Sequence, residues 1–135
     1  MFPYEREPLL VVDKWLRVEA TSRLPGTLAR VKELTSHPAF TLKNPNKVYA
    51  LLGGFGENQV NFHTVDGAGY IFMGEQIRAL DPINPQVAAR MARNFERWRR
   101  FEPKRQALMK RALKRIAAIN GLSKETAEVT SKALA

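Results

Sequence analysis

Apolar residues recur along most of this chain at intervals of three and four residues, a pattern that predicts amphipathic α-helices. The stretch 8–20 is apolar enough to form a largely buried helix, with Pro8 tolerated in its first turn. Its valine-rich start is also compatible with a strand. The stretch 27–35 predicts a second helix, which ends before Pro38 because a residue that precedes proline is pushed out of the α region.

Two Asn-Pro dipeptides, forty residues apart, each stand directly before an amphipathic stretch. Asn44 and Asn84 are suited to cap a helix, and Pro45 and Pro85 fit the first helical position. A helix start that recurs after about 40 residues is typical of stacked antiparallel helix pairs of the HEAT or armadillo kind. We therefore expect an all-α fold, a superhelical array of about seven or more short helices, in a single domain spanning 1–135.

Glycines and prolines set the other predicted boundaries. The helix that begins at Pro45 should stop at Gly53-Gly54, and the polar, aperiodic stretch 55–66 should form a loop. A further helix is predicted to open at Asp66 or Gly67 and to run to Leu80. Others are predicted over 85–100, 103–119 and, with Ser123 as its cap, 123–135.

The composition excludes several classes of protein. There are no cysteines, which rules out a disulfide framework and thiolate catalysis. No apolar run approaches the ~20 residues that a membrane span needs. The start of the chain lacks the basic and apolar regions of a signal peptide, so we expect a cytoplasmic protein.

The net charge of +9 comes from one segment of the chain. Residues 90–115 contain eleven Lys and Arg but only two Glu, which accounts for the whole excess. A helical-repeat scaffold that binds protein or RNA through this basic 90–115 surface is therefore one possible function. No RNA-recognition signature and no exposed aromatic pair accompany the charges, so this function is the alternative.

The two histidines do not form a metal or catalytic motif. His37 and His63 are twenty-six residues apart, and no His-Glu-x-x-His is present. A zinc site needs three or four convergent ligands, which this chain cannot supply from His and Cys. We interpret His37 as a turn residue and His63 as a surface or hydrogen-bonding residue. The sequence predicts no catalytic residue and no metal ligand.

The helix predicted after Pro85 carries a polar stripe opposite its apolar face. At about 100° per residue, four side chains fall on one side: Gln86, Arg90, Arg93 and Arg97. Such a row could bind carboxylates or peptide carbonyls, because guanidinium groups donate several hydrogen bonds. A solvated helix face is the simpler interpretation, and the residues alone favour it.

Several motifs resemble the end of bacterial aminopeptidase N, in the same order and over nearly the whole chain. They are Pro-Leu-Leu-Val-Val-Asp-Lys-Trp at 8–15, His-Pro-Ala-Phe-Thr-Leu-Lys-Asn-Pro-Asn-Lys at 37–47, Phe-His at 62–63, Asp-Gly-Ala-Gly-Tyr at 66–70, Asn-Pro-Gln-Val-Ala-Ala-Arg at 84–90 and Ser-Lys-Ala-Leu-Ala at 131–135. The chain is thus similar to the C-terminal domain of that family, whose members are cytoplasmic zinc exopeptidases that remove N-terminal residues from peptides.

The resemblance implies that zinc is bound upstream, in a thermolysin-like catalytic domain, and that this chain is a non-catalytic cap over the active-site chamber. It also implies that Gln86 and Arg90 face the chamber, near bound peptide, and gives no such support to Arg93 and Arg97. Where some relatives have a second basic residue, this chain has Tyr49. The expected partners are the missing catalytic domain and peptide substrates, not a membrane or nucleic acid. An excised fragment could also self-associate through its uncovered docking face.

Overall fold

The computed structural model describes residues 9–135, and every regular element in this range is helical, which confirms the predicted all-α fold. The chain divides between Asn61 and Phe62 into two compact units. None of the helices in the described range is long and apolar enough to cross a membrane. The first unit contains α1 (Leu9–Thr21), α2 (Thr27–Thr35), α3 (Pro45–Val48) and α4 (Gly54–Gly56); the second contains α5 (Ala68–Leu80), α6 (Pro85–Ala92), α7 (Pro103–Ala117) and α8 (Lys124–Leu134).

The first predicted helix is confirmed as α1, and the alternative of a strand at its valine-rich start is wrong. Pro8, predicted to lie in its first turn, is outside the described residues. Leu16 and Ala20, four residues apart, are fully buried on one face of α1. α1 packs against the other helices of this unit, among them α2, whose Val31 and Leu34 are also buried. α1 is therefore the helix around which the first unit packs.

The predicted helix stop at Gly53-Gly54 is wrong. α3 continues through a π-helical segment, Tyr49–Gly53, directly into α4, and the backbone angles of both glycines are helical. Gly54 lies against α1, where a Cβ on this residue would be 3.2 Å from the Cβ of Ala20. The glycine therefore lets two helices approach closely and does not end one of them. With α3, the π segment and α4 counted as one helix, residues 9–135 form seven helices, in agreement with the prediction.

Buried polar contacts hold the first unit together around α1. The side-chain amide of Asn58 donates hydrogen bonds to the carbonyls of Ala20 at 3.0 Å and Ser22 at 2.7 Å. Lys47, which is 4% exposed, pairs with Asp13 of α1 at 2.5 Å. Removal of either partner of this pair would leave a buried charge without its counter-ion.

Three predicted helix starts are confirmed. Asn44 caps α3, since its Oδ1 accepts a hydrogen bond from the N–H of Asn46 at 3.0 Å. Ser123 caps α8, since its Oγ accepts one from the N–H of Thr126 at 3.2 Å. Gly67 precedes α5 with φ of 75°, a left-handed conformation that favours glycine.

The second unit is built from four helices, with α5 and α8 each packed against both α6 and α7. An aromatic cluster lies at its centre, where the ring of Phe62 is 5.1 Å from that of Tyr70 and 5.6 Å from that of Phe95, between centroids. These three side chains are almost completely buried. The core fixes the orientation of α6, which carries the predicted site residues.

The helix predicted over 85–100 is interrupted. α6 gives way to two 3₁₀ turns, at Arg93–Phe95 and Trp98–Arg100. The side-chain amide of Asn94 donates to the carbonyl of Met91 at 2.8 Å, and so occupies an acceptor that a longer α-helix would use. The apolar residues predicted for its core face are nevertheless all buried: Val87, Met91, Phe95 and Trp98.

α7 has the two faces predicted from its sequence, except at its C-terminal end. The predicted basic side chains are all exposed: Lys110, Arg111, Lys114 and Arg115. The predicted apolar stripe is buried at Met109, Ala112, Leu113 and Ile116. Ile119 follows the end of the helix and is only partly buried.

Candidate functional site

The Asn-Pro-Gln start of α6 is formed as predicted. Asn84 has an extended backbone, and its Oδ1 accepts a hydrogen bond from the N–H of Val87 at 3.2 Å. Pro85 takes a position in the first turn, where a backbone N–H would have no helical partner. The cap fixes where the helix begins and hence which side chains point away from the core.

Gln86 and Arg90, the two predicted site residues, are both exposed and lie one helical turn apart on α6. The other positions of the helix after Pro85 are all buried: Val87, Ala88, Ala89, Met91 and Ala92. An amide beside a guanidinium offers several N–H donors on one surface. The pair is therefore suited to hydrogen bond with carbonyl or carboxylate oxygens of a bound molecule.

The predicted stripe of four runs past the end of α6, which stops at Ala92. Arg93 opens the first 3₁₀ turn, and Arg97 lies between the two turns with φ of −97° and ψ of 23°. Both side chains are exposed. Arg93 still lies about one turn after Arg90, whereas the 3₁₀ turn and the irregular backbone at Arg97 end the helical periodicity before Arg97.

A buried carboxylate connects the chain before α6 to the start of α8. Asp81 Oδ1 accepts hydrogen bonds from the hydroxyls of Ser123 at 2.6 Å and Thr126 at 2.7 Å, and Oδ2 accepts one from the N–H of Ser123 at 2.8 Å. Burial alone would raise the pKa of Asp81, but the hydrogen bonds from Ser123 and Thr126 outweigh it and leave the pKa below its ordinary value. The ionised form thus ties the end of α5 to the start of α8.

The turns that follow α6 bind the end of α8. The indole N–H of Trp98 donates to the carbonyl of Ala133 at 2.8 Å. Arg99 donates to the same carbonyl at 3.0 Å and to that of Ala135 at 2.7 Å, and its guanidinium lies 4.3 Å from the centroid of the Trp98 ring. Arg99 therefore has a structural role, since it satisfies carbonyls that the end of a helix leaves without partners.

His63 is buried, with only 8% of its surface exposed, so its interpretation as a surface residue is wrong. Its Nδ1 lies 2.7 Å from the hydroxyl of Tyr70, which confirms the alternative of a hydrogen-bonding residue. The imidazole stacks on Phe101 with 4.5 Å between ring centroids, and Arg105 donates to the His63 carbonyl at 2.7 Å. His63 is thus part of the packing of the second unit.

The described residues do not fit a zinc ion. His37 is a turn residue, as predicted, because its Nδ1 accepts the N–H of Ala39 at 3.0 Å. Nowhere in residues 9–135 do three His, Cys, Asp or Glu side chains converge, as a protein zinc site requires. Tyr49 is partly buried in the π segment.

Asp81 and Arg99 hold this region together, yet nothing in the local sequence singles them out. Asp81 stands before a proline, where it is equally suited to end a helix, and its partner Ser123 is 42 residues away. Arg99 belongs to a run of like charges, and its partners are the carbonyls of α8. A residue whose partners come from a distant helix can be identified only after the fold is known.

Comparison with known proteins agrees with this description. Residues 4–135 match the model of a protein family described as a domain of unknown function, DUF3458_C, made of ARM repeats. The match confirms the expectation of a helical-repeat domain.

Three similar curated proteins are bacterial aminopeptidases N. The chain is 41% identical to that of Haemophilus influenzae over 126 residues and 41% identical to that of Escherichia coli over 127 residues, in each case 93% of this chain. It is 42% identical to that of Caulobacter vibrioides over 132 residues, which is 97% of this chain. These alignments cover only 14% to 15% of the relatives.

A solved structure of Legionella pneumophila aminopeptidase A in complex with aspartic acid has a similar fold. It matches 97% of this chain with a TM-score of 0.92 and 38% sequence identity, while the match covers 15% of that chain. The predicted resemblance to the C-terminal domain of bacterial aminopeptidase N is confirmed, and the chain belongs to the DUF3458_C family of ARM-repeat domains.

Proposed function

We propose that this chain is a non-catalytic domain of a cytoplasmic zinc aminopeptidase that removes N-terminal residues from peptides. The observation that carries the proposal is the match of 93% to 97% of the chain to aminopeptidases N, of which it spans about one seventh. In this proposal residues 1–135 act as one domain that encloses the active-site chamber. The zinc ion and the catalytic residues belong to the catalytic domain of the same polypeptide, which is the principal partner.

The start of α6 is the part of the domain that contacts peptide in this proposal. Gln86 and Arg90 are exposed on one face, and the Asn84 cap and the buried side of α6 hold that face in place. A peptide offers carbonyl oxygens and a terminal carboxylate, both of which accept hydrogen bonds from an amide and a guanidinium. Contacts away from the scissile bond can contribute binding energy to chemistry performed elsewhere.

The intact enzyme provides the first test. We expect Arg90→Ala to lower kcat/KM on peptides about tenfold, the effect of losing one hydrogen bond to a charged group. Zinc content should not change. Arg93→Ala is the matched control, because Arg93 is an exposed arginine outside the Gln86–Arg90 pair, and its kinetics should equal those of the parent. Unaltered kinetics of Arg90→Ala on several peptides would instead assign Arg90 to a solvated helix face.

The 135-residue chain by itself provides a second measurement. It should release no alanine from an alanyl anilide, with or without added zinc, because the catalytic residues are proposed to lie elsewhere. Zinc-dependent hydrolysis by the purified chain would refute the non-catalytic role. These two experiments separate the assignment of the domain from the assignment of its two residues.

The basic segment 90–115 supports the alternative of a scaffold that binds protein or RNA. Of its eleven bases, ten are exposed, and Arg105 is partly buried. One of the exposed ten, Arg99, is engaged with the end of α8. The alternative therefore depends on charge alone, and the salt dependence described in the Discussion tests it.

A further inference from the structure

An open groove runs between α5 and α7 in the second unit, and no residue of α6 lines it. Its volume is about 170 Å³, similar to the cavity of roughly 150 Å³ that accommodates benzene in another protein. The groove is therefore large enough for one large apolar side chain. Its apolar lining comes mainly from Ile71, Gly74, Ala112, Ile116 and Ile119.

Gly74 opens this groove, and neither backbone conformation nor packing requires a glycine there. The residue lies inside α5 with a φ outside the left-handed region, where glycine costs about 1 kcal/mol relative to alanine. A Cβ on Gly74 would have only ordinary contact with its nearest neighbour, Ile116 Cγ1, at 4.0 Å. At Gly54, by contrast, side chains of α1 occupy the space that a Cβ would need. Glycine at position 74 therefore keeps the groove open and is not required by the fold.

Part of the apolar lining is open to solvent, at Ile71 of α5 and Ile119 after α7. Ile71 is 46% exposed, which is unusual for an isoleucine that neighbours the buried Tyr70 and Phe72. One turn further along, Gly74 places no side chain in the groove, whose floor is formed by Ala112 and Ile116, 5% and 1% exposed. An apolar surface of this kind gains free energy when another apolar group covers it.

Charged side chains border the groove with an excess of positive charge. Arg78 and Arg115 line it from α5 and α7, and both are exposed. Glu75 is the one acidic residue in the lining. In the part of the chain that the structure describes, neither arginine has a carboxylate within 4.0 Å. Both guanidinium groups therefore remain available for an anionic ligand.

The charge of the whole second unit has the same sign. Residues 62–135 contain fourteen Lys and Arg and seven Asp and Glu, which leaves +7. A positive surface of this kind steers acidic partners towards it and repels basic ones. The groove thus joins an apolar depression to a cationic rim on a cationic unit.

We propose that the groove between α5 and α7 binds an acidic peptide segment that inserts one large apolar side chain over Gly74. The carboxylates that flank this side chain pair with Arg78 and Arg115. Glu75 sets the direction of the segment, because it disfavours a carboxylate at its own end of the groove. This mode of recognition uses an apolar anchor between two helices for affinity and charge for specificity.

An RNA strand fits these features less well. The phosphates of RNA would pair with Arg78 and Arg115. A nucleic acid that binds through its backbone, however, does not require a depression sized for one apolar group. Insertion of a base would require an aromatic partner, and the aromatic residue in the lining, Tyr70, is 1% exposed. The glycine and the apolar lining therefore favour a peptide.

The experiment uses the 135-residue chain and a fluorescein-labelled heptapeptide, Gly-Glu-Asp-Phe-Asp-Glu-Gly, followed by fluorescence anisotropy. We expect saturable binding below 1 mM, and about tenfold weaker binding when alanine replaces the peptide's phenylalanine, the value of burying one large apolar side chain. Gly74→Leu fills the groove and should weaken binding to the same extent. Ala79→Leu adds the same side chain at an exposed position of α5 outside the groove, so it should bind like the parent.

The dependence of peptide binding on salt tests the contacts with Arg78 and Arg115. Arg78→Gln together with Arg115→Gln should weaken the peptide and reduce the dependence of its affinity on salt. Circular dichroism confirms that each variant is folded. The proposal is overturned if no binding occurs at 1 mM, if the alanine peptide binds as well as the parent peptide, or if Gly74→Leu has no more effect than Ala79→Leu. It is also overturned if oligouridylate binds more tightly than the peptide and Gly74→Leu leaves both affinities unchanged.

Discussion

His63 is a buried imidazole whose surroundings favour its neutral form. Burial and, to a smaller extent, the nearby positive charge of Arg105 lower the pKa of His63 below its usual value of 6.5. Burial also raises the pKa of its partner Tyr70 to about 12, so the phenol keeps its proton at neutral pH. Glu102, which pairs with Arg105 at 3.1 Å, is the acidic group of this cluster.

This arrangement predicts how stability depends on pH. An unfolded histidine takes up a proton near pH 6.5, whereas folded His63 does so only at lower pH. The contribution of neutral His63 is therefore complete above about pH 6.5 and is lost as the pH falls from there through the folded pKa. Urea unfolding between pH 5 and pH 8 should give a flatter pH profile for His63→Gln than for the parent.

Tyr70→Phe is the control for that experiment. It removes the 2.7 Å hydrogen bond but keeps the two causes of the lowered pKa, burial and Arg105. This variant should be less stable at every pH, by about 1 kcal/mol, and should keep the slope of the parent. A parental pH profile in His63→Gln would show that other groups titrate in this window.

At the scale of elements, two helical glycines have opposite environments. A Cβ on Gly54 would be 3.2 Å from Ala20 Cβ and 3.5 Å from Thr21 Cγ2, whereas a Cβ on Gly74 would touch only Ile116, at 4.0 Å. We expect Gly54→Leu to lower the free energy of unfolding by about 2–3 kcal/mol through overpacking. Gly74→Leu should change it by less than about 1 kcal/mol. Equal effects of the two substitutions in urea unfolding would contradict this difference.

Helix starts were predictable from the sequence because their signals are local. Asn44 and Asn84 each cap a helix with a partner two or three residues away. The interruptions were not predictable, because they depend on contacts with other helices or on competing side chains. The chain continues through Gly54 because α1 lies close to it, and α6 is shortened where the side chain of Asn94 takes a backbone acceptor.

The candidate site was predictable to the same degree. The periodicity of α6 correctly indicates that Gln86 and Arg90 point away from its core face. It fails beyond Arg93, where two 3₁₀ turns change the angle per residue and the backbone at Arg97 is irregular. Nothing in the periodicity identifies the groove, since a glycine inside a helix indicates a special position only after its neighbours are known.

At the scale of the whole molecule, the basic charge is concentrated in one of the two units. Residues 62–135 carry +7 of the total +9. Such a unit should bind polyanions weakly at low salt, because phosphate contacts release counter-ions from the nucleic acid. Charge by itself therefore does not distinguish an RNA-binding scaffold from a basic domain of a peptidase.

The salt dependence of RNA binding distinguishes an RNA-binding scaffold from a basic domain of a peptidase. We expect binding of oligouridylate to fall steeply between 50 and 200 mM salt and to show no sequence preference. Substitution of Lys110, Arg111, Lys114 and Arg115 by Gln should reduce the slope of log K against log salt. Substitution of the exposed Lys32 and Lys43 of the first unit is the control and should have a smaller effect. Sequence-specific binding that persists at 200 mM salt would favour the scaffold function.

The π-helical segment Tyr49–Gly53 has a consequence for how this fold can vary in length. A π turn holds more residues than an α turn between similar heights on the helix axis. One residue could therefore be deleted within the segment, which would convert it to α-helix and leave α3 and α4 on the same axis and in the same orientation. A deletion inside α5 would instead rotate all following side chains by about 100°. Single-residue insertions and deletions should thus accumulate in this segment and be absent from α5.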